Sequence, residues 1–508
     1  MINKKLLLSL SILGLALSSC KANDINISYN EPLKNDNYRN YYEIFVRSFY
    51  DSDGDGIGDL NGVTKKIDYI KNLGFDGIWL MPIHQSGSYH KYDVKDYYSI
   101  DKEYGTIDDM KSLIKACNDN NIKLIMDLVV NHTSDLNKWF IEATKAKYNN
   151  DLESKYLNYY NFSDEQLDGY RKYTDYYYEA RFASNMPDLN LDSNDVRNEI
   201  KDIMKYWLDL GVSGFRLDAC TSYYTGNQEK NKEFLSFINT EAKKINPNCY
   251  IVGEAWTNTK EISKYYESGI DSFFGFGTDT GISYSLNTSS SSYYSDWANT
   301  LSKIANGHIE APFIGNHDTG RSAGILLRQE DKIKFGYGLL TLLSGSTFAY
   351  YGDEIGMVGS GDDPNKRIGM LWTSDKLDGF CSNPPGVTKA EYIFDDVKTQ
   401  LNDPYSILNY YKNANYLRSS YEAIKKGNYN FKDYDSISLL TKKYNNEEVN
   451  ILINFSKDEA SLNLDKKYNL KEVLKISKDS KVKISGNEIK MSGYTIAIIE
   501  EVKWYGWS

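Results

Sequence analysis

Short apolar segments alternate with longer amphipathic segments along most of this chain, and no other feature of the sequence restricts its fold as much. The longer segments repeat apolar residues at intervals of three and four, as at Val196, Ile200 and Ile203, which is typical of helices lying on a core. Strands that alternate with such helices form a parallel sheet covered by helices. The predicted strands are residues 42–46, 77–80, 124–129, 214–217, 250–253, 272–274, 313–315 and 347–351. Eight such units predict an α/β fold, the (β/α)8 TIM barrel.

Two departures from the alternation predict further domains. About eighty residues separate the third and fourth strands, which is too many for a loop and a helix. We therefore predict an inserted subdomain over residues 133–185 and place the barrel at residues 41–132 and 186–420. Beyond the barrel, apolar and polar residues alternate between runs of Gly, Asn and Asp, which predicts a C-terminal antiparallel β-sandwich domain over residues 421–508.

The N-terminal segment has the pattern of an export signal. A short basic stretch precedes the apolar residues 6–17, which are too few to cross a membrane comfortably. The sequence Leu-Ser-Ser-Cys that follows resembles a bacterial lipobox, so we predict that residues 1–19 are a lipoprotein signal peptide and that Cys20 carries the lipid. Residues 20–40 would be a tether, and an ordinary signal peptide with an incidental cysteine is the alternative. No later apolar run is long enough for a transmembrane helix, so we expect an exported protein at the cell envelope or cell surface, held to the membrane by its lipid anchor alone.

The net charge and the cysteine content argue against a nucleic-acid-binding protein and against a cysteine-based metal or redox site. The net charge is -11 and no basic cluster is present, which argues against nucleic acid as a partner and is compatible with a neutral substrate. Apart from Cys20, the cysteines are Cys117, Cys220, Cys249 and Cys381. Their spacings match no metal or redox motif, so we predict buried thiols, with a disulfide as the less favoured alternative.

Three acidic residues follow predicted strands closely. Asp218 and Glu254 come directly after the fourth and fifth strands, and Asp318 follows the seventh. Each alone would more often be a helix cap or a loop charge, but side chains at the carboxyl ends of barrel strands converge on one pocket. Retaining glycoside hydrolysis needs two carboxyl groups about 5 to 5.5 Å apart, which neighbouring strands can supply. Arg216, on the same strand face as Asp218, can keep that carboxylate ionised, whereas partial desolvation would raise the pKa of Glu254.

The segments that carry these residues resemble the conserved regions of glycoside hydrolase family 13, the alpha-amylase family. The matching segments are residues 77–82 (GIWLMP), 89–94 (YHKYDV), 127–132 (DLVVNH), 214–218 (GFRLD), Glu254 and 316–318 (NHD). The resemblance implies Asp218 as the nucleophile, Glu254 as the acid/base and Asp318 as the residue that stabilises the distorted transition state. The substrate-contacting residues that it implies are Tyr92, Asp93, His132, Arg216, His317, Asp363 and Arg367.

Two further segments bear on specificity. Residues 186–190 (MPDLN) resemble a group intermediate between oligo-1,6-glucosidases and neopullulanases, which includes lipoprotein alpha-amylases. Ala219 after the nucleophile also favours alpha-amylase activity, since enzymes that prefer alpha-1,6 bonds have valine there. The resemblance therefore implies cleavage of alpha-1,4 bonds in starch or maltodextrins by double displacement. Thr221-Ser222 stand where the family usually has Lys-His, so this chain departs from the family in residues that bind the leaving-group side of the substrate.

Residues 51–59 (DSDGDGIGD) have the alternating carboxylates of a calcium loop. Gly62 occupies the twelfth position in place of Glu, which argues against a full helix-loop-helix calcium site, but the segment resembles the calcium loop after the first strand of oligo-1,6-glucosidases. The ligands that this implies are Asp51, Asp53, Asp55, Asp59 and the carbonyl of Ile57. We expect a structural Ca²⁺ and no metal in the chemical step, and a merely polar surface loop is the alternative.

Other functions remain open. An alpha-1,6-glucosidase, a neopullulanase-like enzyme or an alpha-glucan transglycosylase would use the same three carboxylates. A non-catalytic surface glycan-binding lipoprotein is a different class, and we expect such a protein to have lost a catalytic carboxylate. For the enzyme we expect an alpha-glucan or maltooligosaccharide substrate and a monomer.

Overall fold

A computed structural model describes residues 27–502, and its centre is a parallel β-barrel. The barrel strands are Asn40–Ile44, Gly77–Leu80, Lys123–Leu128, Gly214–Leu217, Tyr250–Gly253, Ser272–Gly275, Ala311–Pro312 and Thr347–Tyr350. Neighbours in the chain are neighbours in the sheet, and the eighth strand pairs with the first. A parallel bridge between Phe313 and Phe348 joins the seventh strand to the eighth. The predicted (β/α)8 barrel is confirmed.

Two strands differ from their predicted bounds. The first was expected at residues 42–46 but ends at Ile44, because Ser48 N–H bonds Phe45 O and the chain turns into the helix Val46–Phe49. The seventh was expected at residues 313–315 but consists of Ala311–Pro312. Beyond it only the bridge between Phe313 and Phe348 continues the pairing, and the backbone then folds back on itself, so that a Cβ on Gly315 would lie 2.5 Å from Gly320 O.

Helices surround the barrel and connect its strands. The longer ones are Ile107–Asp119, Lys138–Asn149, Asn194–Leu210, Gln228–Ile245, Thr278–Thr288, Ser292–Ala305, Glu330–Thr341 and Ile407–Ser420. The shorter ones are Val46–Phe49, Leu60–Lys65, Ile67–Asn72, Thr259–Tyr265, Ser322–Ile325, Asp363–Lys366, Val397–Leu401 and Glu422–Lys426, with 3-10 turns at Lys155–Tyr159, Tyr266–Ser268 and Asp353–Ile355. Asn194–Leu210 shows why they form: Ser193 caps its first turn, Gly211 ends it with a φ of 108°, and its apolar stripe is buried.

Two segments extend above the carboxyl ends of the strands. After the third strand, a helix and a small antiparallel sheet of Phe162–Ser163, Tyr176–Glu179 and Tyr170–Tyr173 occupy the region predicted as an insertion. An antiparallel bridge between His132 and Asp188 joins the two ends of this region. After the second strand, the hairpin of His84–Ser86 and Val94–Ile100 carries the loop with residues 89–94. Both segments therefore border the opening at the carboxyl end of the barrel.

The C-terminal strands form two antiparallel sheets. One contains Asn428–Tyr434, Ile437–Tyr444, Glu447–Asn454, Tyr468–Leu474 and Thr495–Glu501, and the other contains Ala460–Asn463, Val482–Ser485 and Glu488–Met491. Leu452 from the first sheet and Ile489 and Met491 from the second share one apolar core. This is the sandwich packing that the alternating pattern predicted.

The predicted signal peptide and the predicted lipidation site Cys20 lie within residues 1–26, which are outside the described residues. Within residues 27–502, none of the helices has both the length and the apolar character needed to cross a membrane. The other four cysteines are buried free thiols.

Candidate active site

The three predicted carboxylates lie at the carboxyl end of the barrel. Strands four and five pair in parallel with Leu217 opposite Gly253, so the residues that follow, Asp218 and Glu254, are adjacent. The Glu254 N–H donates to Leu217 O at 3.0 Å, which extends the ladder to this point. Asp318 follows the seventh strand, and both Glu254 and Asp318 are close enough to influence the ionisation of Asp218.

A single guanidinium lies among the carboxylates. Arg216 is fully buried on the fourth strand. Its Nη1 is 2.7 Å from Asp218 Oδ1 and also donates to Asp127, and its Nη2 is 2.9 Å from Glu254 Oε1. The guanidinium also lies over the Trp79 ring, 5.2 Å from its centre. One positive charge therefore faces three buried carboxyl groups, and it is the main compensation for their burial.

Burial decides the ionisation of Asp218. We expected Arg216 to keep this carboxyl ionised, and the contact is present. Burial nevertheless outweighs the arginine, and with the neighbouring Glu254 it raises the pKa of Asp218 to about 7. The group therefore titrates close to neutral pH.

The backbone after Asp218 contacts Glu254. Ala219 has a φ of 47°, in the left-handed region that non-glycine residues seldom adopt. In this conformation the Ala219 N–H donates to Glu254 Oε2 at 3.1 Å. Because the same turn follows Asp218, it links the positions of the two carboxyl groups.

Asp318 is held by two cations. His317 Nε2 lies 2.9 Å from Asp318 Oδ2, and Arg367 Nη2 lies 2.9 Å from Oδ1. Burial opposes ionisation, yet these two partners outweigh it and hold the pKa of Asp318 well below its usual range. Asp363 Oδ2 lies 3.3 Å from Arg367 Nη2. These two residues, both predicted to contact substrate, therefore belong to the same network of ion pairs as Asp318. Asp318 is thus ionised throughout the neutral range, in contrast to Asp218.

The other side of His317 contacts Glu43, which is 1 % exposed in the first strand. His317 Nδ1 is 2.5 Å from Glu43 Oε1, and its Nε2 is 2.6 Å from the Tyr92 hydroxyl. Burial disfavours a charged ring, but Asp318 and Glu43 outweigh it and raise the pKa of His317 to about 10. The Tyr92 ring stacks on His317 with centroids 5.7 Å apart, so its position is set by this imidazole.

The remaining predicted substrate residues lie at the edge of this network. Asp93 accepts hydrogen bonds from Ser86 Oγ at 2.6 Å and Gly87 N–H at 3.1 Å. His132 is buried beside Asp93 and the backbone of Tyr92, and burial lowers its pKa to about 4, so the ring is neutral. The structure thus brings all seven predicted substrate residues to one region, with Tyr92, Arg216, His317 and Arg367 in direct contact with one another or with the carboxylates.

Two residues of the site were not assigned a role from the sequence. Asp127 opens the segment 127–132, and its carboxylate binds Arg216 and the Trp79 indole N–H at 3.0 Å. Glu43 pairs with His317. The signal that could have indicated both is a charged residue inside an otherwise buried barrel strand, since such a charge needs a partner in the barrel.

The acidic loop at residues 51–59 is a separate cluster. Carboxylate oxygens of Asp51, Asp53 and Asp59 lie within 4.8 Å of one another. The Asp55 carboxylate, which we had included, lies outside this set and accepts the Ile57 N–H at 2.7 Å. Hard oxygen ligands of this kind suit Ca²⁺, so three of the predicted side chains fit such an ion.

Comparison with known proteins agrees with this architecture. A family model described as the alpha amylase catalytic domain matches residues 43–427. "Alpha-amylase 3" of Dictyoglomus thermophilum is 37% identical over 505 residues, covering 93% of this chain and 94% of that protein, and the oligo-1,6-glucosidase of Heyndrickxia coagulans is 30% identical, covering 83% and 92%. The solved structure of Eubacterium rectale Amy13B superposes with a TM-score of 0.87 at 40% identity, covering 94% of this chain and 98% of that chain. The alpha-amylase from H. orenii superposes with a TM-score of 0.83 at 30% identity, covering 92% and 100%.

A (β/α)8 barrel with convergent carboxylates at the carboxyl ends of its strands, together with these relatives, defines the class of the protein as a glycoside hydrolase. More narrowly, the chain belongs to the alpha-amylase family, glycoside hydrolase family 13. It is an enzyme of the alpha-amylase type.

Proposed function

We propose that this enzyme hydrolyses alpha-1,4-glucosidic bonds in alpha-glucans with retention of configuration. The observation that carries the proposal is the placement of two neighbouring carboxyl groups around Arg216: Asp218 and Glu254 both contact its guanidinium, and Glu254 also accepts a hydrogen bond from the Ala219 N–H. Two such groups on adjacent strands can flank one glycosidic bond. The relatives named alpha-amylase support the choice of an alpha-1,4 bond.

In the first step, a carboxylate oxygen of Asp218 attacks the anomeric carbon while Glu254 gives its proton to the departing glycosidic oxygen. The bond to the leaving sugar breaks as the bond to Asp218 forms. In the second step, Glu254 takes a proton from water, the hydroxide attacks the same carbon, and Asp218 leaves as a carboxylate. Asp318, which pairs with Arg367, would bind sugar hydroxyl groups together with that arginine, and Tyr92, which stacks on His317, would present its other face to the reacting ring.

The pH dependence of kcat/KM follows from the ionisation of the proposed nucleophile, Asp218. Because Asp218 must be ionised to attack and its pKa is raised to about 7, kcat/KM should fall as the pH drops through about 7, approaching tenfold per pH unit below it. The measurement is kcat/KM on maltoheptaose from pH 4 to 9, with samples returned to pH 7.5 to exclude irreversible loss. A profile that stays flat down to pH 5 would contradict this assignment.

Bond preference is decided by product analysis. Relatives named oligo-1,6-glucosidase and 4-alpha-glucanotransferase keep alpha-1,6 hydrolysis and transglycosylation as the alternatives. We expect short maltooligosaccharides from maltoheptaose and slower action on isomaltose. Preference for isomaltose or panose would favour the first alternative, and longer products from maltoheptaose would favour the second. Inactivity on all of these and on pullulan would favour the glycan-binding protein.

Calcium at the acidic loop would be structural. The ion would be held by Asp51, Asp53 and Asp59, which follow the barrel's first strand in the chain, and would neutralise carboxylates that repel one another. The loop packs on a second segment through Asp51 N–H to Gly379 O at 3.0 Å and Ser382 N–H to Gly56 O at 2.8 Å. Ordering the loop should therefore stabilise both segments.

Metal removal tests this site. We expect EDTA to lower the free energy of unfolding by about 2 to 3 kcal/mol relative to saturating Ca²⁺, as for a ligand at about a hundred times its Kd. Asp53→Asn should abolish the calcium effect, whereas Asp55→Asn, an equally exposed neighbour outside the cluster, should retain most of it. If the parent gave the same unfolding curve in EDTA as in Ca²⁺, the result would contradict a structural calcium site at this loop.

The lipobox at the N-terminus supports export and anchoring through Cys20. The enzyme would then act as a monomer at the cell envelope or cell surface, where large glucans are accessible. Cys20→Ala should move the protein from the membrane fraction to the soluble fraction. A variant that stays with the membrane would contradict a lipid anchor.

A further inference from the structure

We infer that Glu43 is a positioning residue that keeps His317 doubly protonated, so that the imidazolium holds Asp318 and Tyr92 in place for the sugar. The inference deepens the proposed function and rests on it for the role of Asp318. Glu43 itself touches neither of the two adjacent carboxyl groups; it acts through the histidine.

The location of Glu43 requires a charged partner. It is the fourth of the five residues of the first barrel strand, Asn-Tyr-Tyr-Glu-Ile, and all five are buried. A carboxylate in such a position is costly unless it is paired. The partner is His317 Nδ1 at 2.5 Å, and the imidazole is itself fully buried. The pair therefore exists inside the barrel, away from solvent.

The ring geometry specifies the protonation state. A neutral imidazole has one N–H and one acceptor nitrogen. Here both nitrogens face carboxylate oxygens, with Glu43 Oε1 at Nδ1 and Asp318 Oδ2 at 2.9 Å from Nε2. Only a ring with two N–H groups donates to both. The proton stays on His317 and not on Glu43, because the ring is stabilised by two carboxylates at once.

The other charged groups nearby do not replace Glu43. Burial raises the pKa of the Glu43 carboxyl, and His317 and then Arg216 oppose this effect without cancelling it. From the eighth strand and the turn after it, Tyr350 and Asp353 face Glu43, but Asp353 pairs with Arg321 at 3.4 Å. Around the ring lie Tyr92, Asp127 and Asp318, and Arg367 Nε donates to the backbone carbonyl of His317. Among the described residues, Glu43 is the carboxylate that contacts Nδ1.

The test is Glu43→Gln, which keeps the shape and an acceptor oxygen but removes the charge. We expect the pKa of His317, measured by NMR of the ¹⁵N-histidine-labelled enzyme lacking residues 1–20, to fall by about 1 to 3 pH units. His317→Asn identifies the resonance among the five histidines. We expect kcat/KM of Glu43→Gln to fall about tenfold at pH 7 and further at alkaline pH, as the ring loses its proton.

Glu354→Gln is the matched control. Glu354 is as buried as Glu43 and accepts hydrogen bonds from the Tyr42 and Tyr69 hydroxyls at 2.6 and 2.7 Å. This variant should leave the titration of His317 unchanged, which separates loss of the charge from loss of packing. An unchanged titration in Glu43→Gln would overturn the inference, and so would a parent His317 that titrates below pH 7, even if the variant fails to fold. Failure of the proposed function would instead appear as a parent inactive on alpha-glucans.

Discussion

Asp218→Asn will lower kcat on maltoheptaose by about 10⁴-fold or more. The amide has nearly the shape of the carboxylate but cannot form the covalent glycosyl-enzyme, so the double displacement has no first step. A loss of this size corresponds to about 5 kcal/mol of transition-state stabilisation and is on the scale of removing a nucleophile. Initial rates should be followed as the release of reducing ends, at pH 7.5, where the parent carboxyl is mainly ionised.

Asp188→Asn is the matched control for this result. Burial also raises the pKa of Asp188 to about 7, and its carboxylate is bonded by the Arg181 N–H and Asn131, with no contact to Asp218 among the described residues. We expect this variant to keep activity within about tenfold of the parent. A loss of about 10⁴-fold requires removal of a group that acts in the transition state. Retention of more than about one hundredth of the parent rate by Asp218→Asn would reject Asp218 as the nucleophile.

Arg216→Met will destabilise the fold by about 3 to 5 kcal/mol and remove activity. The substitution leaves Asp127, Asp218 and Glu254 buried without the one positive charge that contacts all three. Without it the carboxyl groups bind protons more readily, so the loss should be largest at alkaline pH and should shrink as the pH falls through about 7. Urea unfolding midpoints from pH 6 to 9 measure both effects.

An arginine that pairs with an exposed carboxylate provides the comparison for this variant. Arg197 pairs with Glu233 at 2.7 Å, but Glu233 is more than half exposed, so Arg197→Met should cost no more than about 1 kcal/mol. Arg216→Met would contradict the account if it unfolded at the same urea concentration as Arg197→Met at every pH. Such a result would mean that the carboxyl groups are already protonated in the parent.

The fold was predictable because the relevant signals are local. Strand and helix periodicity indicated the barrel, and Asp218 and Glu254 follow their strands so closely that the topology alone brings them together. The resemblance to known regions then indicated roles for residues such as Tyr92 and Arg367, which come from distant loops. No pattern in the residues alone would have paired those loops.

What the sequence did not predict depends on packing. The ionisation of Asp218 depends on how completely the barrel excludes water, and this exceeds the effect of the adjacent Arg216. The contact between Glu43 and His317 joins residues 274 positions apart in the chain. The early end of the first strand and the short seventh strand depend on turns, such as that at Gly315, whose neighbours are distant in space and sequence until the chain folds.

The anomeric configuration of the first products tests the central claim most directly. Maltoheptaose should be digested by the enzyme lacking residues 1–20 in a ¹H NMR tube, and the anomeric signals recorded before mutarotation equilibrates them. The account predicts that new reducing ends appear first in the alpha configuration and only later as beta, because two displacements at the same carbon restore the original configuration. Initial release of beta-configured ends would mean a single displacement by water, and would contradict the assignment of Asp218 as a covalent nucleophile.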